Sequence, residues 1–160
     1  MSGWESLRQV RLAALRDSPT AFYCTWQQER RNTPADWADL AKNVTWFVAA
    51  QNSPSHQPMV GLVGCLQRPE CPDEPEVIGM WVHPVQRGTG TADELLTAAH
   101  HWARTQGASS IALWVVDSNT RARRFYERHL YRTTGEKAPL PGGRPGREHR
   151  MRRSFPAPTG

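Results

Sequence analysis

Val82-His83-Pro84-Val85-Gln86-Arg87-Gly88-Thr89-Gly90-Thr91-Ala92 is the stretch on which the reading of this chain turns. An apolar run ends at Val82, and His83-Pro84 stops it, because proline cannot continue a strand ladder. Two glycines follow, and a helical pattern begins at about Gly90. Small residues at such a turn let the backbone approach a ligand closely. The first N–H groups of the helix converge there, and the helix dipole favours an anion. Residues 88–93 therefore read as a cradle for a pyrophosphate or similar group. No Gly-Lys-Ser/Thr follows, so it is not a Walker loop, and the spacing is not the dinucleotide GxGxxG. A tight strand-to-helix turn without a ligand accounts for the same two glycines.

Upstream of this stretch, Glu76 to Val82 reads as a strand and Pro69, Pro72 and Pro75 mark 68–75 as a loop. Before that come strands at Thr45–Ala50 and Met59–Gln67, joined by the turn-rich 51–58 as a hairpin. Leu7, Val10, Leu12 and Leu15 predict a first helix stopped near Asp17-Ser18-Pro19. A second helix is expected over Ala21–Glu29. Thr33 reads as the N-cap of a third, with Pro34 at its first position and Trp37 and Leu40 inward. Downstream, the helix from Gly90 to about Thr105 carries Leu95, Ala99, Trp102 and Ala103 on one face. His100 and His101 are expected at its surface. Ser110–Val116 is the clearest buried strand. A last helix over Thr120–His129 turns Ala122, Phe125, Tyr126 and His129 inward. Residues 135–146 read as a loop and Arg147–Phe155 as a final strand. One domain is expected over 1–155, with 156–160 a frayed tail.

The chain has 160 residues, 38% hydrophobic and 22% charged, a globular composition. No apolar run suits a membrane span, and the start carries no secretory signal pattern. Cys24, Cys65 and Cys71 show neither disulfide nor zinc spacing, so a reduced, cytoplasmic setting without a metal is expected. The net charge is +5, and eighteen of the twenty basic residues are arginine, ten of them between Arg121 and Arg153. Arginine suits phosphate, either on nucleic acid or on a small molecule. The Arg runs lack a nucleic-acid motif and aromatic interleaving, so no nucleic-acid partner is expected.

Arg87-Gly88-Thr89-Gly90-Thr91-Ala92 resembles the Arg/Gln-x-x-Gly-x-Gly/Ala signature of the GNAT superfamily of N-acetyltransferases. Asn119, Ala122, Phe125, Tyr126 and Glu127 are similar to the superfamily's "NxxAxxxYE" helix, and Arg11 to Phe22 to the opening helix of many bacterial members. The resemblance covers nearly the whole chain in the right order. It implies an α/β (α+β mixed) fold: one mixed, mostly antiparallel sheet, a splayed parallel pair, helices on both faces, and a first strand missing here. It also implies acetyl transfer from acetyl-CoA to the amine of a small molecule or protein. A catalytically silent acyl-CoA-binding module of the same fold is the alternative. The missing strand predicts an open sheet edge and a homodimer as one way to cover it.

By the resemblance, Met80, Trp81 and Val82 hold the pantetheine arm, and the Val82 N–H polarises the thioester carbonyl. Arg87, Gly88, Thr89, Gly90, Thr91, Ala92 and Asp93 hold the pyrophosphate. Asn119, Ala122 and Tyr126 line the site near the sulfur, and Tyr126 is the general acid for the departing thiolate. Glu76 is the candidate base; on an alternating strand it shares a face with Ile78, Met80 and Val82. Glu29, Asp36 and Glu74 are candidates for attracting a cationic acceptor, and Trp81 for walling the acceptor cleft. The superfamily places glycine where this chain has Leu130. Leu130 must avoid the left-handed conformation of a helix exit or carry its strain.

Overall fold

Leu7, Val10, Ala14 and Leu15 recur at helical spacing, and they form the buried stripe of α1, Gly3–Asp17. The computed structural model describes residues 3–53 and 57–159. The loop expected over 51–58 includes residues 54–56, which lie outside the described residues, as do Met1, Ser2 and Gly160. Two compact units divide the chain: Met1–Leu66 with Ile78–His101, and Gln67–Val77 with Trp102–Gly160.

In the first unit, α1 is followed by a single turn, α2, at Trp26–Glu29. The helix expected from Ala21 is thus shorter. Thr25 starts it through a capping box with Gln28, which accepts from the Thr25 N–H at 2.8 Å. The helix α3, Pro34–Asn43, opens as expected on Thr33, whose side chain accepts from the Asp36 N–H while Asp36 accepts from the Thr33 N–H. The strands β1, Thr45–Ala50, and β2, Met59–Arg68, pair antiparallel, Thr45 opposite Cys65. Leu7, Val10, Leu15, Phe22, Trp37, Leu62 and Trp81 make one buried cluster.

The strand β3 runs over Cys71–Val82, after a two-residue turn at Pro69-Glu70. The loop expected over 68–75 is therefore mostly strand. Proline fixes φ near extended values, so Pro72 and Pro75 cost ladder N–H groups without breaking the extended path. With β4 at Ser110–Val116, β5 at Arg132–Pro139 and β6 at Arg147–Ser154, six strands among the described residues form one sheet in the order β1-β2-β3-β4-β6-β5. It is mixed: β3 runs parallel to β4, Ser110–Val116, with Glu76 opposite Ala112.

In the second unit β4 pairs antiparallel with β6, Arg147–Ser154, and β6 with β5, Arg132–Pro139. Ile111, Leu113, Tyr131 and Met151 are its most buried apolar side chains. The loop expected over 135–146 is cut down to 140–146. The segment Arg132–Pro139 has no apolar alternation because β5 is an outer strand with little to bury. A register shift between Thr133 and Lys137, around left-handed Gly135, also hides its period.

The helix α4, Thr91–Thr105, buries Leu95, Leu96, Ala99, His100 and Ala103. His100, expected at the surface, is 7% exposed, because it lies four residues after Leu96 and three before Ala103, on the same stripe. The last helix, α5, is Thr120–Arg128. No helix among the described residues is long and apolar enough to cross a membrane.

Candidate active site

The end of β3 is built in the first unit. Trp81 and Val82 are buried and Met80 is half-buried. The His83 N–H donates to the Val60 carbonyl at 2.7 Å and closes the ladder. A 3₁₀ turn follows at Pro84–Gln86, with the Val85 N–H donating to His83 Nδ1. Thr89 Oγ1 donates to the Gln86 carbonyl at 2.6 Å and lies 3.2 Å from Thr91 Oγ1. Gly88 and Gly90 have φ of 77° and 92°. Both are left-handed values that only glycine adopts without strain. A Cβ placed on either would meet nothing within 4 Å. The glycines are thus set by backbone conformation and leave open space above the loop. The loop leads directly into α4, whose first N–H groups have no intrahelical acceptor. Asp93 and Glu94 stand in its first turn, where they suit the dipole.

Arg87 braces the strand end that leads into this loop. Its Nε donates to the Val82 carbonyl at 3.0 Å and its Nη2 to Asp17 Oδ2 at 2.6 Å. The same carboxylate oxygen accepts from Trp81 Nε1 at 2.8 Å. Partial burial would raise the Asp17 pKa, but hydrogen bonds from Trp81, Ser18 and Arg87 outweigh it and hold the carboxyl below its usual range. Asp17 was legible only as a helix stop. No spacing connects it with a residue seventy positions away. Trp81 is buried in the core cluster, with its indole N–H tied to Asp17. It packs the strand end rather than forming an open wall.

Gly79, inside β3, has φ of 59°. That left-handed residue interrupts the period of two, so simple alternation does not carry one face from Glu76 through to Met80 and Val82 as expected. The Arg11 guanidinium occupies the space beside Gly79, where a Cβ would lie 2.7 Å from Nη1. Arg11 also lies over the Phe22 and Trp46 rings, at 5.1 and 5.6 Å, and donates from Nη2 to Glu29 Oε1 at 2.7 Å.

The three carboxylates read as attractors of a cationic acceptor all have partners within the protein. Glu29 is 6% exposed and paired with Arg11. Asp36 accepts from the Thr33 N–H at 2.7 Å. In the second unit Glu74 accepts from Ser110 Oγ at 2.6 Å, from Arg150 Nη2 at 2.7 Å and from Arg152 Nε. Burial would raise the Glu74 pKa, but hydrogen bonds from Arg152, Ser110 and Arg150 bring it to about 2. They are structural pairs, which sequence alone could not distinguish from solvated charges. Glu76 is half-buried, with Arg68 Nε at 3.4 Å.

Also in the second unit, Asn119 is the N-cap of α5, and its Oδ1 accepts from the Ala122 N–H at 3.1 Å. Ala122, Phe125, Tyr126 and His129 are half-buried, on the face that the pattern gave. The Tyr126 ring meets Phe125 and Tyr131 edge-on at 5.3 and 5.6 Å. Burial pushes its hydroxyl up to about 12, so it stays protonated at neutral pH. His149 and Asp117, absent from the sequence reading, pair through Nδ1 and Oδ1 at 2.7 Å. Among the described residues no group of three or more His, Cys, Asp or Glu is placed to hold a metal ion.

A glycine-turned loop at a strand end thus leads into a helix, within a six-stranded mixed sheet. The family model described as "Acetyltransferase (GNAT) family" matches residues 11–130, and the chain belongs to that family. Solved structures share its fold. An acetyltransferase of the GNAT family from Streptococcus pneumoniae matches with a TM-score of 0.73 at 17% identity, covering 94% of both chains. A Bacillus anthracis structure described as a streptothricin acetyltransferase in complex with acetyl coenzyme A matches with a TM-score of 0.61 at 18% identity, covering 71% of this chain and 64% of that one. A nourseothricin acetyltransferase matches with a TM-score of 0.63 at 23% identity, covering 71% of this chain and 66% of that one. The chain thus spans about two thirds of the length of these last two relatives. No curated protein is matched.

Proposed function

We propose that this chain is an acetyl-CoA-dependent N-acetyltransferase acting on a primary amine, of a small molecule or of a protein. The observation that carries the reading is the loop itself. Left-handed Gly88 and Gly90, with open space where a Cβ would point, precede the N-terminus of a fifteen-residue helix. That is a fit for a pyrophosphate approached by main chain. Acetyl-CoA supplies the activated acyl group as a thioester.

The Val82 N–H donates to the thioester carbonyl oxygen as negative charge grows there. Arg87 donates to the Val82 carbonyl, in the peptide that follows, and Asp17 holds Arg87. The neutral amine attacks the thioester carbon directly; the C–N bond forms and the C–S bond breaks. The ammonium nitrogen of the adduct loses its proton to solvent. Tyr126 meets the departing sulfur. With its pKa near 12 against ~8.5 for a thiol, complete proton transfer is uphill by roughly 5 kcal/mol. Tyr126 therefore acts by a hydrogen bond that strengthens as the thiolate forms, and the thiolate takes its proton later, from solvent.

Release of CoA thiol from acetyl-CoA across a panel of primary amines tests the reading. Amine-dependent release is expected. Binding of CoA without release for any amine would make the chain a silent binding module. Tyr126→Phe should leave CoA affinity unchanged and lower the single-turnover rate by roughly 10²-fold. A wild-type rate in that variant would remove Tyr126 from the mechanism.

A further inference from the structure

We infer that Asp17 is a positioning residue for acetyl transfer, fixing Val82 at the end of β3 from the C-terminus of α1. The inference rests on the acetyltransferase reading above, in which the Val82 N–H meets the thioester oxygen.

One carboxylate oxygen makes the tie. Asp17 Oδ2 accepts from Trp81 Nε1 at 2.8 Å, from Arg87 Nη2 at 2.6 Å and from Ser18 Oγ at 2.7 Å. Trp81 and Arg87 act on opposite sides of Val82. Trp81 supplies the carbonyl half of the peptide whose N–H belongs to Val82. It is 5% exposed, so a tethered indole leaves that residue little freedom. Arg87 Nε donates to the Val82 carbonyl at 3.0 Å. The N–H of that same peptide, on His83, donates to the Val60 carbonyl at 2.7 Å. Each peptide is planar, so anchoring both sides of the Val82 Cα also sets where its N–H points.

Asp17 is itself well fixed. It ends α1, whose Leu7, Val10, Ala14 and Leu15 share a buried cluster with Trp81. A carboxylate there faces the negative end of the helix dipole, where a cation is favoured. The three donors, not the helix, account for an acid at this position. The glycine loop holds itself together separately. Thr89 Oγ1 donates to the Gln86 carbonyl at 2.6 Å, and Gly88 and Gly90 make their left-handed turns within the loop. Loss of Asp17 therefore impairs the transfer step and spares cofactor affinity.

Two variants of the full-length protein test this. Asp17→Asn keeps the shape and one acceptor but removes the charge, and Asp17→Ala removes the acceptor too. Single-turnover thiol release at saturating acetyl-CoA and amine should fall roughly tenfold in the first and roughly 10²-fold in the second, the cost of a misplaced group. CoA affinity by calorimetry should stay within about twofold of wild type. Leu15→Val loosens α1 without touching the carboxylate and should keep the wild-type rate. If Asp17→Ala fails to fold, Asp17→Asn carries the test. The Trp81 indole and the Val82 and His83 amide resonances, which need no turnover, should move in Asp17→Asn. A wild-type rate in Asp17→Asn, or a CoA affinity that falls in step with the rate, would overturn the proposal. Wild-type protein that releases no thiol with any amine defeats the acetyltransferase reading instead. Asp17 then stands or falls as the anchor of Val82 on the resonances alone, and unmoved Val82 and His83 signals remove it.

Discussion

Helix α4 is entered through Gly90 and helix α5 is left through Leu130, and both residues have a left-handed φ. Gly90 has φ of 92° and Leu130 has φ of 69°. At the first position the sequence supplies the residue that adopts a left-handed conformation freely. At the second it supplies a γ-branched side chain, 60% exposed, that pays for it. A left-handed position is therefore not by itself a sign of function. At Gly90 the glycine coincides with open space at a helix N-terminus, a place for a ligand. At Leu130 the conformation is imposed by how the chain must turn from α5 into β5: the Leu130 N–H donates to the Glu127 carbonyl and the Tyr131 N–H to the Tyr126 carbonyl, both at 3.0 Å.

The largest expected effect breaks the first half of this comparison. Gly90→Glu adds both a strained φ and an anion where phosphate is proposed to sit. CoA affinity, measured by calorimetry on the folded variant, should fall at least 10³-fold, about 4 kcal/mol. Unchanged affinity would show that Gly90 is, like Leu130, only a chain turn.

Gly79 adds a third left-handed position, this one filled. A Cβ there would lie 2.7 Å from Arg11 Nη1, and Arg11 cannot simply swing away because Glu29 and two rings hold it. Gly79→Ala should cost about 3 kcal/mol, of which roughly 1–2 is the backbone term and the rest the disturbed buried pair. Gly107→Ala is the matching control. Its φ is 79° and its Cβ would meet nothing, so it should cost the backbone term alone. Equal midpoint shifts in urea for the two variants would show that the Arg11–Glu29 pair does not depend on the missing Cβ.

These positions also mark what was legible in the sequence. The strand end at Val82, the cap at Thr33 and the stripe of α1 follow from spacing and local hydrogen bonding, and they stand as read. The site loop was legible for the same reason: glycine spacing is a local signal. Three kinds of feature were not. Strands β3 and β5 begin in polar, proline- or glycine-containing sequence, and their pairing is set by partners distant along the chain. The fate of a carboxylate is also non-local. Glu29, Glu74 and Asp17 look alike as letters, yet each is held by arginines 18, 76–78 and 70 residues away. The interrupted alternation at Gly79, where Arg11 fills the space a Cβ would take, is announced by no pattern within β3.

The smallest effect runs the other way and should stabilise. Leu130→Gly removes the steric clash of a left-handed leucine, worth roughly 1–2 kcal/mol. Against this, glycine loses more backbone entropy on folding, a cost of roughly 0.5–1 kcal/mol. Leu130 is 60% exposed, so little buried contact is lost. The net expectation is a gain of about 0.5–1 kcal/mol, seen as a raised urea midpoint with an unchanged m-value. CoA affinity should not change, because the position serves the chain turn and not the ligand. Leu130→Asn offers an independent check, since asparagine tolerates this conformation better than leucine without glycine's entropy. It should also stabilise. If both variants lower the midpoint, the exposed leucine is making a contact that outweighs its strain, and the surface around the α5 exit becomes the place to look for what covers it.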